Sequence, residues 1–139
     1  MAISFFSAEV EFLLPHPRKT SSWINLAVKR EKKRLKTLTY IFCSDPYLLH
    51  LNKQFLNHST FTDVITFDYS AQPGVIEGEI YISIDRVAEN ARKFKVPFDN
   101  ELHRVIVHGA LHLIGYNDKG TKEKALMRKK EEAYLSLRK

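Results

Sequence analysis

The strongest constraint on this chain is the segment at residues 101–114, whose apolar positions run nearly all the way round a helix. A helix with no wet face has to be enclosed on several sides, so it predicts a buried central element. The flanking sequence supplies the covering layers. Residues 3–14 have a strand-like composition, with alternation strongest around Val10 and Phe12, until Pro15-His16-Pro17 interrupts it. Thr20 or Ser21 is expected to cap a helix starting near Ser22, with Trp23, Ile24, Ala27 and Val28 as its apolar stripe. Residues 37–43 are rich in β-branched and aromatic side chains and read as a strand.

Ser44-Asp45-Pro46 resembles a helix start, with Leu48, Leu49 and Phe55 available for packing. Residues 57–62 are polar and read as a loop, and residues 63–67 as a short strand. Pro73-Gly74 marks a turn within residues 68–78, which could form one edge of a cleft, and residues 79–83 read as another strand. Asp85 opens a helix that fades before Pro97, and Asp99 and Asn100 can cap the central helix. The last helix runs from Thr121 to about Leu137, with Ala125, Leu126, Ala133 and Leu137 expected against the core.

The order strand, helix, strand, helix, strand, strand, then three helices predicts an α+β fold. It should be a single compact layer of about four mixed strands packed with about five helices. With 139 residues and no internal repeat or linker, residues 1–139 are expected to form one domain. The one cysteine, Cys43, sits in an apolar run and reads as a buried thiol. The first residues lack the basic flank of a signal peptide, and no apolar stretch has the length of a membrane span. The expectation is a cytoplasmic protein with no membrane partner.

The net charge of +6 is unevenly distributed. Residues 18–36 carry eight Lys or Arg against one Glu, and residues 119–139 carry eight against three. Such stretches can be the wet faces of helices, or can attract nucleic acid before any specific contact forms. A hydrolytic centre nearby would favour the second reading.

Such a centre is suggested by His108-Gly109-Ala110-Leu111-His112-Leu113-Ile114-Gly115-Tyr116-Asn117-Asp118. Two histidines four residues apart lie one turn apart on the same helix face. Gly115 allows a left-handed cap that can return Asp118 toward them. Two nitrogens and a carboxylate oxygen suit a divalent metal, zinc first, with water completing the coordination. His108, His112 and Asp118 are therefore the expected metal ligands. Zinc peptidases carry a glutamate directly after the first histidine as general base, but Gly109 stands there, leaving a zinc peptidase as a minor alternative. A phosphodiester suits the site better. Gly109 itself predicts close packing, because a side chain there would obstruct the site or a neighbouring strand.

On residues 108–116, together with Thr62-Asp63-Val64-Ile65-Thr66-Phe67 and Gly78-Glu79-Ile80-Tyr81-Ile82-Ser83, the chain closely resembles the bacterial endoribonuclease YbeY, or rRNA maturation factor, family. The likeness covers almost the full chain. It implies a four-stranded sheet, a three-ligand metal site and a cleft for single-stranded RNA. It also implies a role in small-subunit ribosomal RNA maturation and ribosome quality control, with the ribosome or its small-subunit precursor, and a ribosomal protein, as partners. His108 and His112 match the family's first two ligands, while Asp118 stands where a third histidine is usual. Phe55-Leu56 stands where many relatives carry Tyr-Arg at the cleft, so Lys53 or His58 would have to supply charge there. His103 is a conceivable substitute ligand, but it points roughly 140° away from His108 on a helix.

Lys119 could stabilise a phosphate, Asp63 reads as organising a strand end rather than acting as base, and Tyr116 reads as packing. The general base and the product-end chemistry stay open. A non-catalytic, RNA-binding ribosome-assembly factor with a structural metal is the alternative from a different functional class.

Overall fold

The computed structural model describes residues 2–56 and 62–138. Its elements are β1 (Ile3–Ala8), α1 (Pro17–Arg30), β2 (Arg34–Cys43), α2 (Asp45–Leu56), β3 (Val64–Asp68), β4 (Val75–Ser83), α3 (Ile84–Phe94), α4 (Phe98–Ile114) and α5 (Thr121–Leu135). The four strands form one mixed sheet in the order β1-β2-β4-β3. β1 and β4 both run parallel to β2, and β3 returns antiparallel to β4. This is the expected α+β architecture, with the elements in the expected order.

Several boundaries differ from the sequence reading for identifiable reasons. β1 stops at Ala8 because Glu9 turns left-handed at φ 58°, which leaves Val10 and Phe12 beyond the strand. α1 begins at Pro17, ahead of Thr20 and Ser21. Proline's fixed φ suits the first helical turn, and Thr20 is buried inside the helix. α4 begins at Phe98 behind Pro97, so Asp99 and Asn100 lie within its first turn rather than capping it.

The sheet has two unequal faces. Along β4, Ile76, Gly78, Ile80 and Ile82 alternate toward the main core, where they meet α1 and α4. α2 covers the opposite face through Leu48, which joins Cys43 and Ile65. Burial pushes the Cys43 thiol pKa up to about 12, reinforced by Asp45, Asp85 and Glu9, which suits a packing thiol. α4 is enclosed as expected, with Leu102, Ile106, Val107, Ala110 and Leu111 fully buried. Its approach to the sheet is close: a Cβ on Gly109 would stand 2.8 Å from Ile80 Cγ2. The buried Tyr40 hydroxyl on β2 donates to the Ile106 carbonyl at 2.9 Å, tying helix to sheet.

α5 presents a different face from the one its apolar residues suggested. Met127, Glu131 and Tyr134 are buried, whereas Ala125, Leu126, Ala133 and Leu137 are exposed. The helix turns inward the face that carries a glutamate, because that glutamate pairs with the partly buried Arg104 and His108 on α4. No helix among the described residues is long and apolar enough to cross a membrane.

Candidate functional site

α4 brings the functional side chains to the edge of the sheet. His108 and His112 project from its C-terminal half, one turn apart. Gly115 then ends the helix at φ 132°, and both Gly115 N–H and Tyr116 N–H donate to the Leu111 carbonyl at 3.1 Å. That closure releases the chain toward Asp118. The result is a pocket of about 230 Å³ lined by Thr62, Asp63, Val64, Thr66, His108, His112 and Asp118. The three residues singled out in the motif thus share one pocket, with Asp63 and the β3 backbone as its opposite wall. The loop before β4 is not among the lining residues. A larger groove of about 470 Å³ runs beside β1, but its lining is mostly apolar and Arg18 is its one charged residue.

Behind the histidines lies a chain of buried charge. His108 Nδ1 is 2.6 Å from Glu131 Oε2, reaching from α4 to α5. Arg104 joins Glu131 at 3.1 Å, Glu101 at 2.6 Å and Asp63 at 3.6 Å, so one guanidinium links two helices to the strand end. The Glu101 and Glu131 side chains are only 3% and 4% exposed, and without partners their carboxylates would be costly there. Burial pushes the Glu131 pKa upward, but His108 and Arg104 outweigh it and hold the group below the ordinary carboxylate range. Burial also pulls the Arg104 pKa down, and Glu101 and Glu131 more than reverse that. At Asp63 burial prevails over Arg104 and His108, and the pKa is raised. His112 is open to solvent on one side yet crowded on the others. This partial desolvation, followed by the neighbouring His108, lowers its pKa and favours the neutral imidazole.

The expected divalent metal, zinc, is not supported by this arrangement. Among the described residues, no group of three or more His, Cys, Asp or Glu side chains is placed to hold a metal ion. Asp118 lies on the loop beyond Gly115 with its side chain 48% exposed, and its Oδ2 stands 3.7 Å from His108 Nε2. A polar pocket forms without closing into a coordination cage.

The remaining sequence candidates are distributed as follows. His103 packs edge-on against Trp23 at 5.9 Å between ring centroids, on the side of α4 facing α1. Lys53 and Lys119 are exposed and do not line the pocket. His58 and the Leu56 side chain lie outside the described residues. Tyr116 donates to Glu31 Oε1 at 2.6 Å, and Glu31 also accepts from Tyr134 and from Lys130. Tyr116 is thus more than packing, since it ties the loop bearing Asp118 to the end of α1.

The residues missed from sequence are Glu131, Arg104, Glu101 and Glu31. Glu131 left one signal: it falls at helical spacing between Met127 and Tyr134, a carboxylate on an otherwise apolar stripe.

The family model described as Endoribonuclease YbeY matches residues 9–138. The chain belongs to the Endoribonuclease YbeY family. Among members of the family, one from Cytophaga hutchinsonii is 52% identical over 137 residues, covering 99% of this chain and 96% of that protein. Another, from Bacteroides thetaiotaomicron, is 42% identical over 138 residues, covering 99% of this chain and all of that protein. Both carry the name Endoribonuclease YbeY. The solution structure of TM1509 from Thermotoga maritima is similar with a TM-score of 0.66 at 29% identity, spanning 96% of this chain and 87% of that one. Membership in the family supports nuclease activity in general, and a general part in ribosomal RNA processing.

Proposed function

We propose that residues 1–139 form one endoribonuclease domain that cuts single-stranded RNA during small-subunit ribosomal RNA maturation and ribosome quality control. The single observation that carries this reading is the convergence of His108, His112 and Asp118 on one small pocket beside β3. A neutral His112 can accept the proton of an attacking hydroxyl, whether from water or from the neighbouring ribose. As the bond between phosphorus and the leaving oxygen breaks, that oxygen needs a proton, and His108, one turn from His112 on the same wall of the pocket, is placed to give one. Glu131 then holds the imidazole in place through Nδ1. A pocket of about 230 Å³ admits a splayed nucleotide linkage more readily than a stacked duplex. The basic stretches would steer RNA to it, in the cytoplasm, on the ribosome or its small-subunit precursor, with a ribosomal protein as a further contact.

The test is cleavage of single-stranded ribosomal RNA by the full chain and by His112→Ala, with product ends analysed from the same reactions. Loss of cleavage in the folded variant supports the reading. A 2′,3′-cyclic phosphate end assigns the attack to ribose, and a 5′-phosphate or 3′-phosphate formed directly assigns it to water. Equal cleavage by both proteins removes this pocket from catalysis. RNA binding without cleavage by either protein would make the chain an assembly factor.

A further inference from the structure

Residues 18–36 contain one acid, Glu31, and the fold withdraws it from the surface. Its carboxylate is 10% exposed and is occupied by Tyr116, Tyr134 and Lys130. The cations around it are left uncompensated. Lys29, Arg30, Lys32 and Arg34 are exposed and Lys33 is half-buried. None of the five enters an ion pair among the described residues; the nearest cation in sequence that does is Lys36, with Glu77 at 3.6 Å, and Glu31 is taken by Lys130.

Lys32 adds an independent observation. It terminates α1 at φ 60°, with its N–H donating to Lys29 and the N–H of Lys33 donating to Val28. Glycine is the residue that this left-handed position favours, and a lysine there retains a charge at the expense of stability. The turn is also joined to the pocket. Tyr116 bonds Glu31 and lies two residues before Asp118, and a hollow of about 400 Å³ beside it carries Arg30, Lys130 and Tyr134 on its lining.

We propose that the turn between α1 and β2 is a second RNA-contact surface, binding backbone phosphates that flank the nucleotide held in the pocket. This deepens the endoribonuclease reading and rests on it for the identity of the ligand. Phosphate contacts contribute about 0.7 each to the salt dependence of single-strand binding, so they can be counted.

The experiment measures binding of a fluorescein-labelled, mixed-sequence single-stranded RNA by anisotropy across a salt series, with thermal melts of each variant. Lys32→Gly is expected to raise the melting temperature while lowering the slope of log K against log salt by about 0.7. Extrapolated from 1 M, that is about fivefold weaker binding at 0.1 M salt. Lys29→Ala with Lys33→Ala should lower the slope by about 1.4. The control is Lys95→Gly, which removes an exposed lysine from the equivalent left-handed position, φ 59°, at the end of α3. It should raise the melting temperature in the same way and leave the slope unchanged. An unchanged slope in Lys32→Gly, or equal losses in Lys32→Gly and Lys95→Gly, overturns the proposal. So does an absence of RNA binding by the wild-type chain. Cleavage is scored separately, so binding that follows the predicted slopes without cleavage retires the nuclease reading and leaves this surface standing.

Discussion

Removing the Glu131 carboxylate should expose how much the fold depends on the charge chain behind the pocket. Glu131→Ala leaves His108 Nδ1 without its partner at 2.6 Å and deprives Arg104 of its contact at 3.1 Å. Breaking a buried pair by deleting one member typically costs about 3–5 kcal/mol, because the surviving charge stays desolvated. Here Arg104 keeps Glu101 at 2.6 Å and Asp63 at 3.6 Å, so the expected loss lies at the low end, about 3 kcal/mol. For a chain of this length that corresponds to a fall in melting temperature of roughly 10 °C. Glu131→Gln keeps an acceptor and most of the volume and should cost about half as much. The sign with pH is fixed by the depressed pKa of Glu131. Its stabilisation is present above the unfolded value of about 4.3 and is lost as pH falls through the folded value. The gap between wild type and Glu131→Gln should therefore close under acid conditions. Urea unfolding at several pH values measures the free energies, and a thermal melt the temperature. A loss below about 1 kcal/mol for Glu131→Ala, or a gap that widens in acid, would refute the reasoning.

Three further outcomes are expected. Gly109→Ala should gain up to about 1 kcal/mol of helix propensity but lose about 1–3 kcal/mol to overpacking against Ile80, and in an Ile80→Ala background the same change should become stabilising; a double-mutant cycle in urea reads the reversal. Desolvation, then Arg138 and Lys19 against an opposing Asp99, lowers the His103 pKa, so its contribution is full above about pH 6.5 and declines as pH falls. His103→Gln should flatten that part of the stability profile by well under about 1 kcal/mol, since the ring is half-exposed. Glu31→Gln should loosen the loop bearing Asp118 and slow cleavage more than it lowers the melting temperature, which parallel rate and melting measurements would show.

The element order was legible because each segment carries its own signal, from the β-branched run that became β2 to the stripe of Trp23, Ile24, Ala27 and Val28 that α1 buries. The pocket was legible in part. The spacing of His108 and His112, and the turn at Gly115, are local properties of one helix and its cap. What the sequence could not show was where long-range partners would sit. Glu131 is 23 residues from His108, and Tyr116 is 85 from Glu31. The face of α5 was misread for the same reason: apolar counting favours Leu126 and Leu137, while the buried Glu131 pairs with two partly buried groups on α4. The metal expectation was not met, since among the described residues no three His, Cys, Asp or Glu side chains are grouped to hold an ion. Nothing in the motif reports how far a loop residue such as Asp118 will turn toward solvent.

The contact from Glu131 to His108 also has a consequence for synthesis. The whole histidine motif is complete once residue 118 has been made, yet the carboxylate that steadies its first imidazole arrives thirteen residues later, on the last helix. Without that helix His108 Nδ1 would lack its carboxylate at 2.6 Å. Docking of α5 supplies the missing partner and, through the Trp23 indole bonding the Tyr134 carbonyl at 2.7 Å, locks the first helix in the same step. One element, α5, therefore both backs the pocket and anchors the first helix.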